Sequence, residues 1–200
     1  MKTKLILLIL FCATSTFAQY NPPVLSTTSL AGNPNQDPNF SKNGNYAIDY
    51  DSERDQYVGL WRYNQNGILF DLKIEKRDKL ITKYIYQGVI LGYKFSDDII
   101  FKYRLVKNGI ELYNNLNDNI PDDYPSRAKK FGIHDFAGGI FVDATYNVGS
   151  HMSVKLINPD TIFFDLGSGT YFYLNPDSYY ETLDHIFTVP TDGIEMVRVN

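Results

Sequence analysis

Three histidines, His134, His151 and His185, are the residues of this 200-residue sequence best suited to metal or acid–base chemistry. A zinc site built on one element needs closely spaced ligands such as His-x-x-x-His, and these three stand far apart. The only cysteine is Cys12, near the start of the chain. A metal centre would need all three histidines to converge in space, so none is expected. His134-Asp135 offers a base beside an orienting carboxylate. Neighbours on a strand point to opposite faces, so the two could touch only in a loop. No serine sits in a Gly-x-Ser-x-Gly elbow. Gly167-Ser168-Gly169 leads into strand-like residues and not a helix, so it reads as a turn and not a phosphate cradle. Asn117-Asp118-Asn119 and Pro121-Asp122-Asp123 suggest a calcium loop. Counting from Asn115, however, Ile120 stands where glycine is needed and Ser126 where the bidentate glutamate is needed. With 23 acidic residues, some carboxylate pair suited to glycoside hydrolysis arises by chance. No catalytic residue and no cofactor is assigned.

The elements that would position any site are strands. Asn66-Gly67 signals a type I′ turn, which needs positive φ at both central residues. Centring the turn there pairs Gln65 with Ile68, Tyr63 with Phe70, Trp61 with Leu72 and Gly59 with Ile74, an almost wholly apolar face. The opposite face pairs Arg62 with Asp71 and Leu60 with Lys73, and is expected to be solvated. Asn108-Gly109 repeats the signal, pairing Leu105 with Leu112 and Tyr103 with Asn114. Phe101 falls on the same face, and Lys102, Arg104 and Glu111 on the other. In a closed sheet, Trp61, Tyr63, Phe70, Leu72, Phe101, Tyr103, Leu105 and Leu112 would share the inner surface and line any cavity. Gly59, Gly92 and Gly139 could bend their strands outward and widen it.

Further strands are expected over Leu80–Tyr86, Val89–Phe95, Ile99–Val106, Gly139–Tyr146, Tyr171–Leu174, His185–Val189 and Ile194–Val199. Lys76-Arg77-Asp78 reads as a polar link and Ser96-Asp97-Asp98 as a turn. Asp51–Asp55 reads as one helical turn, and Asn114–Lys130 as a long loop of the kind that often carries function. Between Met152 and Leu166, only a three-residue loop, Asn158-Pro159-Asp160, pairs Leu156 with Ile162, Val154 with Phe164 and Met152 with Leu166. Asp160 is expected to take positive φ there. The fold class that follows is all-β: an antiparallel meander of about 8–10 strands, closed as an up-and-down barrel or strongly curved.

Lys2 and Lys4, the apolar run Leu5–Phe11 and the small residues before Gln19 form an export signal over residues 1–18, cleaved after Ala18. No segment is long and apolar enough to be a membrane-spanning helix. Cleavage would leave 182 residues without cysteine, holding 17 basic and 23 acidic side chains, a net charge of −6. That balance argues against nucleic acid and against adhesion to anionic lipid. Residues 19–48 are rich in Asn, Pro, Ser and Gly and read as an extended or partly disordered leader; 49–200 form a single domain.

Gly59-Leu60-Trp61 resembles the Gly-x-Trp motif opening the first strand of lipocalins and related calycin barrels, although that family's Thr-Asp-Tyr segment has no counterpart. The resemblance implies a Trp plugging the closed end of a barrel and a C-terminal Arg packed over it. Arg198 is placed to be that partner. Gly59, Trp61, Arg198 and the turn residues Asn66, Gly67, Asn108 and Gly109 are therefore structural candidates. Phe17-Ala18-Gln19, Tyr57–Tyr63, Asn158–Ile162 and Phe187–Thr191 also resemble a family of secreted Bacteroidetes proteins of unknown function. These readings imply an exported, non-enzymatic β-domain that binds a small apolar ligand or a protein partner. The alternatives are an envelope-associated structural module with a filled core and, third, a hydrolase.

Overall fold

Three tight turns set the frame. Asn66-Gly67, Gln87-Gly88 and Asn108-Gly109 all have positive φ at both central residues, from 49° to 81°. This is the type I′ geometry, whose twist matches that of the flanking strands. The computed structural model describes residues 20–32, 35, 37–121, 124–132, 136–145, 147–173 and 187–199. Among them the strands are β1 (Ser26–Ser29), β2 (Asn45–Ile48), β3 (Gly59–Gln65), β4 (Ile68–Tyr86) and β5 (Val89–Lys107). They continue as β6 (Ile110–Asn114), β7 (Arg127–Gly132), β8 (Phe136–Asp143), β9 (Val148–Asn158), β10 (Thr161–Tyr173) and β11 (Ile194–Val199).

Eight of these close a ring, in the order β3-β4-β5-β7-β8-β9-β10-β11 and back to β3. Every pairing around the ring is antiparallel, and closure comes from Ile99 opposite Ala128 and Ile100 opposite Arg127. The up-and-down barrel is thus present, but the sheet as a whole is mixed. β1 pairs with β2 in parallel, and β2 pairs in parallel with β5. Both short strands come from the segment read as a leader. The β3–β4 register is the one that turn chemistry and alternation require. The β9–β10 register is too, with Leu156 opposite Ile162 and Met152 opposite Leu166. Asp160 does not take positive φ; its N–H instead donates to the Asn158 side chain at 2.9 Å.

Several local readings need correction. Lys76-Arg77-Asp78 is no link and Ser96-Asp97-Asp98 no turn, because both lie inside continuous 19-residue strands, β4 and β5. A bulge between Arg77 and Leu80, with Lys79 at φ 55°, absorbs the irregularity. A second bulge pairs Leu105 with Tyr113 and Arg104 with Asn114, so Leu112 turns out to solvent and Tyr113 takes its place. Arg127–Lys130 belongs to β7, not to the loop before it. The helical turn lies at Asp55–Tyr57 and is 3-10. Gly167-Ser168-Gly169 lies within β10, where its register with β9 is interrupted. Residues 187–189 are described but form no strand. The export signal, Cys12, His134, Asp135, Asp122, Asp123, Tyr146, Leu174 and His185 lie outside the described residues.

Aromatic and aliphatic side chains pack across the barrel interior. Phe70, Tyr103, Phe141 and Phe164 form a mutual cluster with ring centres 5.2–6.3 Å apart. Rings of this size suffice to fill an eight-stranded barrel. Gly139 does not widen it. A Cβ there would lie 2.1 Å from the Arg127 carbonyl, so glycine lets β7 and β8 approach closely at the seam. The loop after β6 lies over the outer face, where Ile120 packs with Leu80 and Ile100, and Tyr124 lies against them.

Candidate functional site

Six of the residues expected on the inner surface, Trp61, Phe70, Leu72, Phe101, Tyr103 and Leu105, are fully enclosed; Tyr63 is half-buried at the margin of the same core. Both ends of the barrel are held by polar groups. At one, the Trp61 indole N–H donates to the Tyr57 carbonyl at 2.8 Å, and the Arg198 guanidinium lies 4.1 Å from the ring centre. Arg198 also donates to the carbonyls of Val58, Gln56 and Pro159 at 2.6, 2.9 and 3.0 Å. Gly59 makes room for it, since a Cβ there would sit 2.6 Å from Arg198 Nη1. Elsewhere, buried Asp143 accepts hydrogen bonds from the Thr188 N–H and hydroxyl at 2.5 and 2.6 Å and from the Tyr103 hydroxyl at 3.2 Å. The segment Phe187–Thr191, singled out in the sequence, thus docks onto the barrel. The two Asn-Gly turns also lie together, with the Asn108 N–H donating to the Gly67 carbonyl at 2.8 Å.

Beyond the bulge, β4 and β5 leave the ring as an arm, which β2 flanks on the β5 side at Phe95 and Ser96 and which is two-stranded toward its tip. β3 pairs with β4 only as far as Ile74, so among the described residues the far edge of β4 has no strand partner from Glu75 onward. The root of the arm is fastened by charge. Arg54, buried, contacts the carboxylates of Asp49 at 2.7 Å and Asp78 at 2.9 Å, with Asp97 at 3.7 Å. Burial works against the Arg54 charge, but its bonds to Asp49 and Asp78 more than offset this and raise its pKa. Asp97 accepts the Lys79 and Asp49 N–H groups, both at 2.9 Å, and the Tyr46 hydroxyl at 2.6 Å. The first of these bonds satisfies the Lys79 peptide, which the bulge frees from the ladder, and the other two tie Asp49, just after β2, and Tyr46 of β2 to the same carboxylate.

On the outer face of the root lies Asp98, fully buried, with neither carboxylate oxygen hydrogen-bonded among the described residues. Burial pushes its pKa up to about 6. Arg127 Nε stands 3.6 Å away. Lys129, lowered by burial to about 8, donates to the Thr82 hydroxyl at 2.7 Å, and Arg127 Nη2 donates to the same oxygen at 3.2 Å. Two groups poised near neutrality suggest acid–base chemistry. Yet Thr82 Oγ1 accepts from two cations here, so this arrangement holds the oxygen as an acceptor and does not activate it as a nucleophile.

The far end of the arm is apolar and exposed. Tyr84, Ile85, Tyr86, Val89 and Leu91 retain 47, 61, 63, 60 and 69% of their surface. Five large apolar side chains within eight residues make a concentrated patch for a water-facing surface. Lys83 and Lys94 flank it, their ammonium groups 5.2 Å from the Tyr20 ring centre and 5.8 Å from that of Tyr84. Sequence reading placed the turn between Tyr86 and Val89 but said nothing of the exposure of the strands beside it.

A family profile spans residues 1–197. The chain belongs to DUF6705, a family of unknown function. No curated protein and no solved structure matches it. For DUF6705 the chemistry must therefore be read from this barrel itself. His151 is exposed on β9, opposite Ile140 of β8. Among the described residues no group of three or more His, Cys, Asp or Glu could hold a metal, and no helix is long and apolar enough to cross a membrane. In the loop read against a calcium site, Asn115 Oδ1 accepts the Tyr103 N–H at 2.7 Å and Ser126 Oγ accepts the Val142 N–H at 2.8 Å. These residues, with Ile120 in the outer cluster, fasten the loop to the barrel.

Proposed function

We propose that this chain is an exported, non-enzymatic binding module that acts from its outer surface. The filled barrel is the scaffold. The β4–β5 arm is the docking element, suited to an interface that is apolar at depth and acidic at its rim. The observation that carries this reading is the exposed run Tyr84–Leu91 on a root fastened by Arg54. Export is supported by the charged start, the apolar run Leu5–Phe11 and the small residues ending at Ala18. The aromatic cluster in the interior speaks against an internal ligand, because each ring occupies the volume a ligand would need.

Two measurements test the reading. A panel of fatty acids, retinoids and aromatic acids should move neither the melting temperature nor the Trp61 emission. A ligand bound inside the native barrel alone would stabilise it by about 2.7 kcal/mol at a hundredfold excess over Kd, and such a shift would restore the carrier reading. In addition, the native protein should bind the dye ANS at neutral pH. Ile85→Ser with Leu91→Ser should abolish that binding without lowering the melting temperature. Dye binding unchanged in the double variant would sink the surface reading and favour a purely structural module.

A further inference from the structure

We infer that the arm is an interfacial anchor whose tip inserts into an anionic lipid surface. The inference rests on reading the arm as the docking element and names what it docks to. The first argument is depth. Ile85, Tyr86 and Val89 flank the Gln87-Gly88 turn, and Lys83 lies four residues behind Gln87. At about 3.3 Å per residue, that lysine sits about 13 Å behind the tip. An interfacial segment buries its apolar part roughly 5–10 Å into the boundary between headgroups and acyl chains. Lys83 and Lys94 would then lie at headgroup level, where long cationic side chains reach phosphates and tyrosines are favoured.

The second argument is that the tip is apolar on both faces. Tyr86 opposite Val89 and Tyr84 opposite Gly92 share one face, and Ile85 opposite Ile90 takes the other. A protein groove covers one face of a hairpin, whereas lipid surrounds both.

The third argument is charge. From Lys79 to Lys94 there are three lysines and no acidic residue, in a chain of net charge −4, so the remainder carries −7. An anionic surface attracts the arm and repels the rest, which orients the approach tip-first. The acidic overall balance speaks against anionic lipid only if charge is spread evenly, and the fold segregates it. Insertion stops at the interface because the unpaired β4 edge keeps polar groups that cannot enter hydrocarbon unsatisfied.

The test uses the full chain and vesicles of equal parts phosphatidylcholine and phosphatidylglycerol, beside vesicles of phosphatidylcholine alone. Flotation should show binding to the mixed vesicles only, released in 1 M salt, where the Debye length falls to about 3 Å. Lys83→Gln and Lys94→Gln should each weaken binding about fivefold. Ile85→Ser with Leu91→Ser should abolish it while the near-UV circular dichroism stays native. In a Tyr86→Trp variant, emission should shift to the blue on binding and be quenched by lipids brominated on the acyl chain, with buried Trp61 as a constant background. Equal binding to both vesicles, or no quenching, overturns the lipid assignment. Tip-dependent self-association without vesicles overturns it in favour of a second copy of this chain. Tip-dependent dye binding without any vesicle binding overturns it in favour of a protein partner, yet leaves the surface reading standing. Only loss of the tip's role in dye binding removes both.

Discussion

Asp98→Asn removes a buried charge without changing its shape, and the consequence depends on pH. Burial raises the Asp98 pKa from 3.8 to about 6, against the pull of the Ser96 hydroxyl and of Arg127, Lys129 and Arg54. A carboxyl whose folded pKa is raised ionises first in the unfolded chain. Its favourable contribution is therefore complete below pH 3.8 and is lost as pH rises through about 6. Two pKa units are worth about 3 kcal/mol. Relative to Asp98→Asn, the native protein should thus lose about 3 kcal/mol between about pH 4 and pH 7, or roughly 6–12 °C in melting temperature for a chain of this size. The absolute difference at one pH is less informative, because the Asn amide brings donors of its own beside the Arg127 guanidinium. Urea unfolding followed by Trp61 emission, run in parallel on both proteins across this window, measures the quantity. A difference flat to within about 0.5 kcal/mol would show that Asp98 is hydrated or paired and would refute the reasoning.

Other expectations follow from the same geometry. Arg62 holds Asp71 at 2.6 and 3.0 Å, and Asp71 is buried while the Arg62 side chain is 37% exposed. Arg62→Ala, which strands a buried carboxylate, should cost about 3–5 kcal/mol, and Asp71→Ala, which frees an arginine to rehydrate, about 1–3 kcal/mol. Denaturation curves giving the reverse order would contradict this assignment. Arg198→Ala should cost about 2–4 kcal/mol and shift the Trp61 emission, and Arg198→Lys should recover little, because an ammonium cannot stack on the indole and reach three carbonyls at once. A fully stable Arg198→Lys protein would count against that. Gly139→Ala should cost about 3 kcal/mol or more and speed hydrogen exchange in β7 and β8, since the new methyl meets the Arg127 backbone; a silent substitution would mean the seam is looser than described.

Two hairpin registers were legible because turn chemistry and period-two alternation agree there, while the bulge in the Asn108-Gly109 hairpin left no such signal. Asn66-Gly67 fixes β3 against β4, and only a three-residue loop matches the apolar faces of β9 and β10. The ends of the arm strands at their shared turn, Tyr86 and Val89, were also legible. The exposed setting expected for Arg62 and Asp71 failed differently. Alternation places Asp71 on the outer face, but its burial depends on what lies beside it: Arg62 on β3 and Arg104 on β5 flank it in register. The lining of the interior was partly visible as apolar faces. The arm tip, by contrast, is apolar on both faces like a fully buried strand, and no local signal gives its exposure.

What the sequence by itself determined is the all-β class, the β3–β4 and β9–β10 registers and the inward face of those strands, because these follow from side-chain period and from local turn chemistry. The tertiary structure alone decided where polar runs stay in strand and where the barrel closes. Lys76–Asp78 and Ser96–Asp98 look like breaks because aspartates and lysines usually end strands. Here Arg54, 43 residues before Asp97, pairs with Asp78 and Asp97 from across the fold, and β4 and β5 run on into the arm. Closure likewise joins Ile99 and Ile100 to Arg127 and Ala128 across an irregular loop. Long-range contacts of this kind leave no periodicity in the chain, since their partners meet only once the strands between them have folded.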